Sequence, residues 1–209
     1  MIWIGVALAI VVVGFAGVDR WFYEQVSLRL NDETRPVGRD FHALTRPFWE
    51  TVRLVTASIW AAVVLAVVGA VLDPRRTARY LLALAAVGVV GLVANVLQGA
   101  IGRLRPNQAE SHLAFKPPLT ELLSKETVCF PSGEATLAFA IAATATSFLP
   151  RWRWAFFAAA TLGALARLVN GAHYPSDVAA GALLGALAAP WLLRRLTPLE
   201  RYAVRRGPA

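Results

Sequence analysis

The stretch YLLALAAVGVVGLVANVLQGAIG, Tyr80 to Gly102, runs for 23 residues without a charged side chain. As a helix it would rise about 34 Å, at 1.5 Å per residue. The hydrocarbon core of a bilayer is roughly 30 Å thick. Comparable apolar blocks lie at 2–18, 54–72, 134–149, 154–170 and 177–193. The six blocks predict an all-α integral membrane protein, a six-transmembrane-helix bundle forming one domain over residues 1–209. Composition agrees: 57% of the chain is hydrophobic and 16% is charged, against about 25% charged in an ordinary soluble domain. The first block lacks a basic leading segment and a small-x-small cleavage site, so it reads as a retained helix and not a signal peptide.

The net charge of +8 does not indicate nucleic acid. The arginines lie beside the apolar blocks: Arg75, Arg76 and Arg79, then Arg151 and Arg153, then Arg194, Arg195, Arg201, Arg205 and Arg206. In short segments next to membrane spans such residues mark the cytoplasmic side. No patch combines them with stacking aromatics as a nucleic-acid binder would. Both termini are then inside, and the connections 19–53, 103–133 and 171–176 face outward. In the first of these, Trp21, Phe22 and Tyr23 suit a helix lying in the interface. Cys129 is the only cysteine, which excludes an internal disulfide and a CxxC metal site.

The two later outward connections and the helix ends beside them hold most of the unusual polar residues. QGAIGRLRPN closes the third block, CFPSGEA opens the fourth, and ARLVNGAHYPSDV joins the fifth to the sixth. Gln98 and Arg105 are seven residues apart, nearly two helical turns, and Pro106 ends the helix. Arg105 thus stands at a helix exit with a fork suited to phosphate or carboxylate. Ser132 is placed as an N-cap. Gly133 removes bulk where an anion would meet the free amides of a helix start. Arg167 sits late in an apolar block, where retaining a charge is costly. His173 follows the Asn170-Gly171 break, and Asp177, four residues on, can reach back to its ring and set the tautomer. Each cluster alone also fits interfacial polar residues. Together they describe a phosphoryl-transfer site without the acidic cluster that would hold Mg²⁺, so neither metal nor cofactor is expected.

These residues resemble the motifs of the type-2 phosphatidic acid phosphatase superfamily, which includes lipid pyrophosphatases and vanadium haloperoxidases. The family pattern Lys-x6-Arg-Pro, Pro-Ser-Gly-His, Ser-Arg-x5-His-x3-Asp reads here Gln98-x6-Arg105-Pro106, Pro131-Ser132-Gly133-Glu134 and Ala166-Arg167-x5-His173-x3-Asp177. The resemblance covers about residues 54–193. It implies a phosphate clamp of Arg105 and Arg167 with Ser132 and the Gly133 amide, a nucleophile at His173 and an orienting carboxylate at Asp177. Three positions depart: Gln98 stands for Lys, Ala166 for Ser, and Glu134 for the His that protonates the leaving group. The proton would come from Glu134 or from His112, and Lys116 or Lys125 would replace the lost charge. Alternatively a diphosphate substrate, whose leaving group is a phosphate, would need little protonation.

The resulting expectation is a lipid phosphatase or phosphotransferase of the cell (inner) membrane, with its site on the extracytoplasmic face. It would act on an isoprenyl or glycerolipid phosphate or diphosphate through phospho-His173. The alternative is a non-catalytic family member that binds phospholipid headgroups or a membrane partner.

Overall fold

A computed structural model describes residues 2–28, 36–119 and 127–205, with the side chains of 2–3, 36–43 and 199–205 left aside. The regular structure of the described residues is helical, with two isolated β-bridges in the loops. Helix α1 (Ile2–Val13) continues through a π turn at Gly14–Val18 into α2 (Asp19–Phe22) and a second π turn at Tyr23–Ser27. Then come α3 (Pro36–Ala57), α4 (Ile59–Leu72), α5 (Thr77–Ile101), α6 (Gly133–Thr146), α7 (Arg153–Val169) and α8 (Pro175–Arg205).

Among the described residues, three helices are long and apolar enough to cross a membrane: Ile4–Ser27, Pro74–Ile101 and Pro175–Pro198. The pair Leu44–Ala57 and Ile59–Leu72, bent by 54°, makes a fourth if it is one span. The expected sixfold count therefore stands at three to four by length and composition. With 14 and 17 residues, α6 and α7 fall short of the roughly 20 that a span needs. The expected connection 19–53 is also largely helical. Trp21 and Phe22 lie in α2 and Tyr23 opens the π turn after it, all beyond a break in the helix at Gly17, whose φ is 124°. The bend between α3 and α4 comes at Ser58, which adopts an extended conformation and caps α4 by accepting from the Ala61 amide.

The core identifies the solvent. Its buried side chains are mostly small: Ala62, Val87, Val90, Ala140 and Ala189, with Ile141, join α4, α5, α6 and α8. Ala57, Ala138, Ala142 and Ala160 join α3, α6 and α7. The large apolar side chains face outward, among them Leu72, Val71, Leu92 and Trp154. A water-soluble domain would hide them. Helices in lipid gain nothing by doing so and associate through small residues that let their backbones approach.

The closest approach is between α6 and α8. Gly181 and Gly185, four residues apart on α8, lie against α6. A Cβ at Gly185 would fall on the Thr136 carbonyl oxygen, and one at Gly181 on that of Ser132. This contact brings the starts of α6 and α8 together, and the Ser132 amide donates to the Asp177 carbonyl at 3.0 Å. Gly185→Val should therefore lower stability by about 1–3 kcal/mol, the cost of overpacking a tight core. Gly88→Val, at a position with nothing within 4 Å of an added Cβ, should cost well under half of that. Melting of both variants in detergent checks the difference.

Candidate active site

Helix α5 stops at Gly102, whose φ of 72° is left-handed. Only glycine adopts this without penalty, and a Cβ would also strike the Lys116 carbonyl oxygen at 2.6 Å. The helix therefore ends four residues before Pro106, earlier than expected from the proline. Arg103 to Arg105 leave it as extended chain, paired through the bridges Arg103–Phe115 and Leu104–Val128. Arg105 stands on this segment, not on the helical face of Gln98. Its Nε donates to the Val128 carbonyl at 3.3 Å. Gln98 is buried in the last turn of α5.

The extended exit turns Arg103 into the protein, where its side chain is wholly inaccessible. Nη1 donates to Asp177 Oδ1 and to Ser176 Oγ, each at 2.7 Å. Nη2 donates to Asp19 Oδ2 at 2.9 Å and to the His112 carbonyl at 2.8 Å. The rings of Phe15 and Tyr174 sit 4.3 Å from the guanidinium carbon. Asp19 also accepts from the Ser176 amide at 3.0 Å and from the Ser176 hydroxyl. This network ties the first helix to the start of α8.

His173 lies in the turn between α7 and α8, formed by Asn170 as C-cap and Gly171 at φ 62°. Its Nδ1 is 2.9 Å from the Cys129 carbonyl oxygen. A carbonyl only accepts, so Nδ1 carries the proton and the neutral ring presents its lone pair at Nε2. The expected bond from Asp177 is not made. Asp177 Oδ2 is 3.7 Å from Nδ1, and this buried carboxylate takes Arg103 and the Tyr174 amide (2.8 Å) instead. Burial holds the imidazole below its ordinary value of 6.5. Asp177 pulls it upward, and the positive charges of Arg167 and Arg105 push it down.

Ser132 caps α6, accepting from the Ala135 amide at 3.4 Å. The next residue but one, Glu134, stands between two arginines. Its Oε1 is 3.2 Å from Arg53 Nη1, and its Oε2 is 3.2 Å from Arg167 Nε. The second contact is an ion pair without a hydrogen bond: neither Oε2 nor Nε has an aligned partner. Arg53 also pairs with Glu50 at 2.7 Å. Beside this chain of charges lies a cleft of about 240 Å³ lined by Arg46, Glu50, Arg167 and Asn170. An arginine retained in an apolar helix thus has its counter-charge, and two positive charges that act on His173 are gathered at the same end of the bundle.

A family model described as the PAP2 superfamily matches residues 78–200. The chain belongs to the PAP2 superfamily. It is 42% identical over 97 residues to a lipid A 1-phosphatase of Rhizobium johnstonii, covering 46% of this chain and 39% of that protein. A lipid A 1-phosphatase of Rhizobium etli is 42% identical over 96 residues, 46% of this chain and 40% of the relative. The bacitracin transport permease protein BcrC of Bacillus licheniformis is 34% identical over 116 residues, 55% of this chain and 56% of that one. The chain therefore spans about two fifths to just over half the length of these relatives. No solved structure matches it.

Within this PAP2 chain, Glu134 meets Arg167, the Ser132 amide meets the Asp177 carbonyl, and His173 meets the carbonyl of Cys129, three residues before Ser132. His112, the other candidate proton donor, has Nε2 3.2 Å from the Phe15 carbonyl, against the first helix. Lys116 donates to Thr127 Oγ1 at 3.0 Å. Lys125 lies outside the described residues. Sequence reasoning missed Arg103, Asp19, Arg53 and the Cys129 carbonyl. For the first two a signal existed: Asp19, Arg103 and Asp177 each flank an apolar block on the same predicted side. For Arg53 and the Cys129 carbonyl there was none, because both contacts depend on how distant segments pack.

Proposed function

We propose that this protein is a membrane lipid phosphatase or phosphotransferase acting through a phosphohistidine. The observation that carries the reading is the Nδ1 contact of His173 with the Cys129 carbonyl, which leaves Nε2 as the nucleophilic nitrogen. In the first step the Nε2 lone pair attacks phosphorus, a P–N bond forms and the P–O bond to the leaving group breaks, its electron pair staying on that oxygen. In the second, water or another hydroxyl attacks phosphorus, the P–N bond breaks and the acceptor's proton is lost to solvent. Arg105 and Arg167 neutralise the transferring group, Ser132 and the Gly133 amide donate to it, and Asp177 orients the turn that carries His173. Gln98 is buried in the last turn of α5 and brings no charge.

Glu134 is the departure that shapes the chemistry. Glu134 accepts from Arg53 and faces Arg167, so in this reading it serves as a counter-charge and not as the proton donor. The leaving group is then one that departs without protonation, and a phosphate is such a group. An isoprenyl or glycerolipid diphosphate suits the site better than a monophosphate, and relatives named as lipid A 1-phosphatases support a phosphorylated lipid as the broader substrate class. The short α6 and α7 complete six crossings together with the turns that flank them. Arg75, Arg76, Arg151, Arg153, Arg194 and Arg195 lie at the helix ends remote from His173, and by the positive-inside rule this supports a site on the extracytoplasmic face.

Phosphate release from lipid mono- and diphosphates, in detergent and without added metal, tests the reading across pH 4.5 to 8. Neutral His173 is the reactive form. Because its folded value lies below 6.5, that form persists as pH falls, and the acid limb of kcat/KM should lie below pH 6.5. A limb at or above 6.5 would remove His173 from the role. Stoichiometric lipid binding with no turnover would favour the non-catalytic alternative, which the occupation of Arg167 by Glu134 supports.

A further inference from the structure

Helix α3 carries Arg46 and Arg53 seven residues apart, nearly two turns, with Glu50 between them on the same face. Arg53 reaches Glu134 and Glu50. Arg46 lines the cleft and makes no hydrogen bond or ion pair with the described residues. Arg167 lines the same cleft, and its side chain is nine-tenths buried with an Nε that no acceptor meets. Three guanidinium groups thus surround two carboxylates, and one of the three has no partner among the described residues. A buried donor left without an acceptor is costly, and an anion in the cleft would supply one.

We propose that Arg46 and Arg53 form a second anion subsite next to Arg167, that together they take a diphosphate, and that Glu134 is the resident counter-anion which the substrate displaces. The inference rests on the phosphoryl-transfer reading and assigns the part of the site that receives the leaving group. The terminal phosphoryl group lies on Arg167 beside His173. The inner phosphate lies on Arg46 and Arg53. When the anhydride P–O bond breaks, its electron pair stays on the inner phosphate, where two guanidinium groups take up the charge. No proton donor is needed, which accounts for an acidic residue at the position of the family histidine. The positive charge absent at Gln98 is supplied from a different helix. The chemistry recognised is a diphosphate, lipid-linked or free.

Calorimetric titration of the full-length protein in detergent with inorganic phosphate and pyrophosphate tests this. Wild type should bind pyrophosphate at least about 10-fold more tightly than phosphate. Arg46→Gln should bring the two within about 3-fold, and Arg46→Lys should keep most of the preference, since charge is the operative feature. Glu134→Gln should tighten both anions, because it removes the resident carboxylate. Equal affinities in wild type, or an unchanged ratio in Arg46→Gln, would overturn the proposal. Farnesyl diphosphate binding tighter than pyrophosphate would identify the lipid-linked form; equal binding would identify the free diphosphate. Preference for pyrophosphate with no phosphate released from any lipid would keep the subsite and remove the catalytic reading. Turnover of lipid phosphates with no such preference would do the reverse.

Discussion

Arg103→Leu should lower the unfolding free energy by about 3–5 kcal/mol, the range for removing one partner of a buried ion pair. The size follows from what remains. Arg103 serves Asp19 and Asp177, both completely inaccessible, so its loss leaves two carboxylates facing each other across an apolar pocket between Phe15 and Tyr174. Leucine fills part of the volume and satisfies neither acid. The Ser176 amide and hydroxyl still serve Asp19, and the Tyr174 amide still serves Asp177, but neutral donors do not compensate charge. The triple variant Arg103→Leu, Asp19→Asn, Asp177→Asn should regain a substantial part of the loss, because the unpaired charges are what is expensive and not the absence of the pair. Denaturant or thermal unfolding in detergent measures both. A loss under about 1 kcal/mol for Arg103→Leu would show that water or lipid headgroups reach this cluster.

The same residue shows how far the chain could be read without coordinates. Apolar block length indicated membrane helices, and Gly171 and Ser132 marked a break and a cap that the structure contains. Such signals are local, and the chain satisfies them locally. The six-block count was less secure. Block length measures apolarity, whereas helix length depends on caps and turns: Ser58 breaks one block's helix from its predecessor, and α6 stops at Thr146. The site divides in the same way. His173, Asp177, Arg167 and Glu134 are visible because motif spacing within a helix or turn places them. Their partners are not. Asp177 four residues after His173 made a direct bond the natural expectation, yet a carboxylate without solvent access takes the strongest available donor, and Arg103 is a charged fork where the imidazole is neutral. Which arginine arrives there depends on Gly102 ending α5 early, and on the small residues of α8 that bring its start against α6.

His173→Ala should reduce phosphate release by roughly 10³- to 10⁶-fold, the scale on which enzymes lose activity when a covalent nucleophile is removed. With anion binding assigned to the arginines in the proposed site, phosphate and pyrophosphate affinities should change little. A purely structural role for His173 leads to different results. If His173 only held the turn by its bond to the Cys129 carbonyl, His173→Gln, whose amide can donate there, would restore activity; a nucleophile leaves both variants inactive. If the loss were collapse of the site, stability would fall as it does for Arg103→Leu, whereas His173 contributes one hydrogen bond to a carbonyl, worth about 0.5–1.5 kcal/mol. Quenching a reaction with phosphorus-labelled lipid should trap label on wild type, labile in acid and stable in base as a phosphoramidate is, and none on either variant. Label that survives in His173→Ala would move the nucleophile elsewhere. Label on wild type alone would make Nε2 of His173 the atom bonded to phosphorus, because the Cys129 carbonyl already holds Nδ1.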